Sequence, residues 1–289
     1  MSTAAGKGTR KRRKRGRADT VKRRTQRVHK VSRPVQRQIP ITELLSEESL
    51  DILEQHADWI LKEIGIEFRG DAEALDLFRQ AGATVDGERV RFDAGHATAL
   101  CATAPSQFTM HARDPAYSIV VGNGTVSCTP GYGSPFVTDL EAGRRYASLE
   151  DFENFVKLTY SSPWLHHSGG TVCEPVDVPV NKRHLDMVYT HLRYSTKPFM
   201  GGVTAADRAL DSVAMARIVF GEAFMEDNCV IQGNINLNSP LVLDSVMSGS
   251  LKVYARANQG VFVSPFILGG AMGPLTQPAL IAQAHAETI

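Results

Sequence analysis

The sequence predicts an α/β protein: a TIM (β/α)8 barrel cut to about its first half and preceded by an α+β region. Three observations predict it. Apolar strand candidates recur roughly every 30 to 35 residues from residue 164 onward, the length of one βα unit. Segments with helical apolar spacing lie between them. Short polar or glycine-rich loops follow the strands, as they do where a parallel sheet carries function at its C-terminal edge. A doubly wound sheet shares this rhythm, but no GxGxxG follows the first strand candidate, which removes the usual dinucleotide-binding version.

In chain order, Ser46 caps a helix whose Leu50, Leu53, Ala57, Ile60, Leu61 and Ile64 form one apolar stripe, stopped by Gly65. A strand at 66–68 leads to an Asp71-capped helix running to Gly82. Asp86 and Gly87 sit between alternating apolar and charged residues at 83–92, the signature of a tight hairpin. A helix at about 93–102 precedes strands near 107–112 and 117–121. Residues 39–146 therefore read as the α+β region.

Ser148 opens a helix at about 149–159, and the barrel domain is expected at 147–289. Its strand candidates are 164–168, 198–203, 229–235 and 261–268. Leu185, Val188, Tyr189 and Leu192 define one helix. Thr204 and Asp207 resemble a capping box before Leu210, Val213, Ala214 and Ile218. Leu243, Val246, Met247, Leu251 and Tyr254 define another, with Gly260 as its C-cap. Four βα units are visible where a barrel needs eight, and Ile289 falls in a helical pattern without a stop signal. The expectation is a fragment with uncovered apolar residues and poor solubility when expressed alone.

The net charge of +1 hides an asymmetry. Residues 1–37 hold 15 Lys and Arg against Asp19 alone, and the remainder carries a formal −13. The first 38 residues read as a disordered basic tail on an acidic globule. Without interleaved aromatics the tail has no means of stacking on bases, so sequence-specific nucleic-acid recognition is not expected. No run of about 18 apolar residues exists, so no membrane span is expected. Cys101, Cys128, Cys173 and Cys229 are scattered, with no CxxC pair, which fits reduced thiols in a cytoplasmic protein.

Three blocks carry a resemblance: GGVTAADRALDSVAMARIVFGE, IQGNINLNSPL and VSPFILGGAMGPLTQPALIAQAHAE. Together they resemble the trimethylamine methyltransferase family from about residue 40 onward. The resemblance implies a TIM barrel behind an α+β extension. It also implies transfer of a methyl group from a tertiary or quaternary methylated amine to the cobalt of a corrinoid (cobalamin) carried by a small partner protein, with no cofactor bound tightly. It further implies a homo-oligomer for the intact protein. Family members are considerably longer, and some archaeal ones carry pyrrolysine in the part absent here.

Asn234, Asn236 and Asn238 alternate, so they share a face while the chain stays extended. Their amides are candidates for holding a substrate carboxylate or a corrinoid edge; capping the loop is the competing role. Ser264 joins them as a candidate on the next strand. Gly269 and Gly270, with Gly273, either let a flat ligand approach the backbone or make a tight turn. His166 and His167 point to opposite faces if extended, so they cannot share a metal, and His167 is kept as a candidate for the binding pocket. Tyr132 offers a cation–π face for a methylammonium group or belongs to a surface turn. No catalytic residue and no metal site is assigned.

Two rival readings are a nucleic-acid-associated protein using the basic tail and an inactive half-barrel. Deleting residues 1–37 separates the first from the enzyme. Weak DNA binding that disappears with the tail, falls with salt and ignores sequence is the expected outcome. Tight, sequence-specific binding at physiological salt would favour the rival.

Overall fold

The computed structural model describes residues 35–289. Most of the expected tail lies outside the described residues. Within residues 35–38, Val35–Gln36 (β1) is a short strand that pairs antiparallel with Thr125–Val126.

The α+β region follows the sequence signals closely. Helix α1 (Glu47–Trp59) starts at Ser46, whose hydroxyl accepts from the Ser49 N–H, and continues as a π turn at Ile60–Ile64. Gly65 ends it at φ 75°. A Cβ there would lie 2.4 Å from the Val90 carbonyl, so only glycine turns the chain into β2 (Ile66–Arg69). Asp71 caps α2 (Ala72–Gln80), and Gly87 at φ 58° closes the hairpin of β3 (Thr84–Asp86) and β4 (Arg89–Arg91). Then come α3 (His96–Cys101), the β5–β6 hairpin (Gln107–Met110, Ile119–Gly122), and β7 (Thr125–Val126). A further hairpin, β8–β9 (Phe136–Asp139, Gly143–Tyr146), has no counterpart among the expected elements.

In the second region α4 (Leu149–Ser161) begins with a full capping box between Ser148 and Asp151. The strand expected at 164–168 is irregular. The His166 and His167 N–H groups donate to Cys128 O, and Gly169 takes φ 90°, which breaks an even ladder. The segment still runs beside the next strand, with Ser168 N–H on Pro198 O (2.7 Å) and Met200 N–H on Gly169 O (2.9 Å). Helix α5 (Arg183–Tyr194) leads to β10 (Phe199–Met200), α6 (Ala206–Phe220), α7 (Glu222–Asp227) and β11 (Ile231–Leu237). The chain continues through β12 (Val242–Asp244), α8 (Ser245–Arg256), β13 (Gly260–Pro265) and α9 (Gln277–Thr288).

Strands β10, β11 and β13 form a parallel sheet in sequential order, each linked to the next through helices. Strand β12 instead joins β2 in parallel, extending the sheet of the first region to β12-β2-β4-β3. The two regions thereby share a sheet and a core that runs from Ala57, Leu61 and Phe68 to Ile231, Ile235 and Tyr254.

Two expected caps differ. Helix α6 starts after Ala205 without a side-chain cap, because Thr204 Oγ1 accepts from the Arg208 guanidinium and Asp207 from the Arg208 N–H. Helix α8 ends at Ala257, Asn258 takes the left-handed turn at φ 56°, and Gly260 already belongs to β13.

A buried ionic knot joins the regions. Asp71 is 7% exposed; it caps α2 through the Ala74 N–H (3.0 Å) and accepts from Ser248 Oγ and Lys252 Nζ (2.6 Å). Burial opposes ionisation, but the bonds from Lys252, Ser248 and Ala74 prevail and hold the carboxyl below its ordinary 3.8. A carboxylate lowered in the folded state contributes stability above its unfolded pKa and loses it as pH falls through the folded one. Asp71→Ala is expected to cost about 3 kcal/mol at neutral pH. The difference from wild type should shrink below about pH 4, as read by denaturant unfolding at pH 7 and pH 3.

Candidate functional site

Strand β11 reads Ile-Gln-Gly-Asn-Ile-Asn-Leu, and its alternation divides two environments. Ile231, Ile235 and Leu237 are buried in the core against the helices, and Gly233 lies against the Tyr254 ring. Gln232, Asn234 and Asn236 therefore occupy the other face. The register places Met200 and Gly260 beside Gln232, Phe262 beside Asn234, and Ser264 beside Asn236. Ser264 Oγ donates weakly to Asn234 Oδ1 at 3.4 Å.

Of the seven candidates, Asn234, Asn236 and Ser264 meet on this face. Asn238 leaves it: past the strand end, its N–H bonds Val242 O and its amide donates to Asp244, the cap of α8, at 2.9 Å. Gly269 and Gly270 form a tight turn. The Gly270 N–H bonds Gly273 O at 2.8 Å, and a Cβ on Gly273 would lie 2.5 Å from Leu280 of α9.

His167 is buried and faces the same side as the polar residues of β11. The Gly169 N–H donates to its Nδ1 at 2.9 Å, so the proton of the neutral ring sits on Nε2. That Nε2–H is buried without a hydrogen-bond partner among the described residues. Burial pushes the ring's pKa down to about 3, with neighbouring His191 adding to the effect, so it is neutral at physiological pH. His166 turns away, its Nδ1 accepting from the Cys128 N–H at 2.9 Å. His191 is held from both sides, by Ser168 Oγ (2.7 Å) and Gly170 O (2.8 Å).

His167, Ser127, Gln232, Met200 and Phe262 line a cavity of about 190 Å³ closed on one side by β6. Of these five, the sequence singled out only His167. Gln232 was legible, since it precedes Asn234 and Asn236 at period two. Ser127 carried no signal, because it follows β7 and meets His167 and Gln232 only through packing of segments distant in sequence. A smaller cavity of about 80 Å³ lies where β10 ends, at Gly201–Thr204, and Tyr132 lines it with Glu174, Arg183 and His184. Among the described residues no cluster of His, Cys, Asp and Glu is arranged to hold a metal ion, and no helix is long and apolar enough to cross a membrane. Burial pushes the thiols of Cys173 and Cys229 up to about 12 and about 11, so neither is poised as a nucleophile.

Residues 12–289 match the trimethylamine methyltransferase (MTTB) family. The chain belongs to that family. It is 37% identical over 252 residues to the glycine betaine methyltransferase of Desulfitobacterium hafniense (strain Y51), covering 87% of this chain and 52% of that protein. It is 30% identical over 165 residues to the proline betaine:corrinoid methyltransferase of Eubacterium limosum, covering 55% of this chain and 33% of that one. The chain thus spans about half the length of the first of these relatives and a third of the second.

Lys197 holds the His167 segment in place from below. It is 3% exposed, and its ammonium donates to the carbonyls of Thr159 (2.8 Å), Ser162 (2.9 Å) and Leu165 (2.7 Å), tying the end of α4 to the irregular strand. Burial lowers its pKa to about 8. Lys197→Met would leave these carbonyls without a donor and is expected to cost about 3 kcal/mol, measured as a fall in the denaturant midpoint.

Proposed function

We propose that the intact protein moves a methyl group from a quaternary methylammonium compound of the betaine type to the cobalt of a corrinoid carried by a small partner protein. Family membership and the names of the two betaine methyltransferases support this reading. The single structural observation that carries it is the polar face of the parallel sheet, Gln232, Asn234, Asn236 and Ser264, rising toward the C-terminal ends of β11 and β13. We take this sheet to be one sector of a TIM barrel that closes in the intact protein, whose functional edge is the C-terminal one.

The chemistry favours the quaternary ammonium. Co(I) attacks a methyl carbon in line with its C–N bond. A Co–C bond forms from the cobalt electron pair, cobalt becomes formally Co(III), and the C–N pair departs with nitrogen as a neutral dimethylamino compound. A tertiary amine would first need protonation or another activation, because its leaving group would otherwise be an amide anion. With a quaternary substrate the protein's task is to aim one methyl group at the cobalt and to exclude water. The polar sheet edge offers a surface on which a corrinoid protein can dock without a buried charge. Cytoplasmic placement and a homo-oligomeric assembly belong to the same proposal.

The test uses the full-length protein, its reduced corrinoid partner and a panel of betaines and methylamines. Methylcobalt formation, followed by absorbance, should occur with at least one betaine and faster than with trimethylamine. Failure with every amine, while the same corrinoid protein accepts a methyl group from another methyltransferase, would overturn the proposal.

A further inference from the structure

Two side chains lining the cavity beside β6 have unspent hydrogen-bonding capacity. His167 Nε2 and Ser127 Oγ are buried with no partner among the described residues. Gln232, 2% exposed, lines the same cavity with its carboxamide side chain. A buried polar group without a partner is costly, and two of them lining one cavity is more than packing accounts for. The volume, about 190 Å³, is many times the roughly 10–15 Å³ that admits one water.

The chemistry of the wall defines the ligand. The Nδ1 bond from Gly169 fixes His167 as a donor at Nε2. Ser127 supplies a hydroxyl, and Gln232 an NH2. Together they present donors to an oxygen acceptor, the pattern that recognises a carboxylate. The lining holds no charged side chain, so nothing there compensates a lone cation or a lone anion. The apolar remainder includes Met200 and the ring of Phe262, whose face attracts an alkylammonium group. A zwitterion of zero net charge satisfies both halves.

We propose that Ser127, His167 and Gln232 form the carboxylate subsite for an N-methylated amino acid, with the quaternary nitrogen lying toward Phe262 and Asn234. This rests on the methyl-transfer reading and deepens it: these residues select betaines over methylamines that lack a carboxylate. They are binding residues and take no part in bond making. His191 is a positioning residue, since it bonds the Ser168 hydroxyl and the Gly170 carbonyl on either side of Gly169.

Calorimetric titration of the full-length protein with glycine betaine and with tetramethylammonium tests this, and needs no corrinoid partner. Wild type should bind glycine betaine at least tenfold more tightly than tetramethylammonium. Ser127→Ala and Gln232→Met, chosen as mild changes, should each weaken betaine about tenfold and leave tetramethylammonium unchanged. His167→Phe should weaken betaine more, and the His167 Nε2–H proton resonance should shift in wild type on adding betaine. Equal affinity of wild type for the two ligands, no betaine binding, or unchanged betaine affinity in Ser127→Ala and Gln232→Met would overturn the subsite. Methyl transfer from betaine with unaffected variants sinks the subsite alone. Carboxylate-dependent binding without methyl transfer sinks the catalytic reading alone.

Discussion

The packing of one tyrosine against a glycine floor sets the faces of this sheet. Tyr254 is fully buried, and its hydroxyl donates to Gly202 O at 2.9 Å. A Cβ at Gly201 would sit 2.4 Å from that hydroxyl, and one at Gly233 would sit 2.6 Å from the ring. Both strands therefore lack a side chain where the ring lies, and helix α8 closes directly onto them. Once Gly233 faces the helix, period two decides the rest of β11. Ile231 and Ile235 enter the core, and Gln232, Asn234 and Asn236 face the opposite way. A register slip by one residue would bury three amides against helices and expose two isoleucines, a cost no nearby donor could offset.

From that division the site follows. In a parallel sheet the second face is ordinarily covered as well and carries branched apolar residues. Here it carries amides and a hydroxyl, with Met200 and Phe262 as its apolar members. Beside it, the His167 segment abandons regular strand geometry. Its N–H groups are spent on Cys128, and Lys197 anchors its start through Leu165. The loss of regularity is what aims His167 into the cavity with its tautomer fixed, while His166 is held by the Cys128 loop. Backbone order has been exchanged for the placement of one donor.

Much of the fold was legible because its signals are local. Ser46, Asp71 and Ser148 cap the helices they were expected to cap, Gly65 stops the first, and Gly87 turns the first hairpin. The parallel order of β10, β11 and β13 follows from strands separated by helices. What was not legible depends on distant contacts. Pairing of β12 with β2 brings together residues far apart in sequence, and nothing local in Val242–Asp244 announces it. The same holds for Ser127, which meets His167 and Gln232 only through packing of segments distant in sequence. Of the asparagines, the strand periodicity foresaw Asn234 and Asn236 on one face. It failed for Asn238, where the chain has already turned and the amide serves the cap at Asp244.

The polar face of β11 as the place where a betaine lies is the central claim, and a crystal structure of the full-length protein with glycine betaine tests it most directly. The predicted result is a carboxylate within roughly 2.7–3.2 Å of His167 Nε2, with its methyl groups toward Phe262 and Asn234. A betaine held instead beside Tyr132 and Glu174 at the end of β10, with only water against His167, would contradict it.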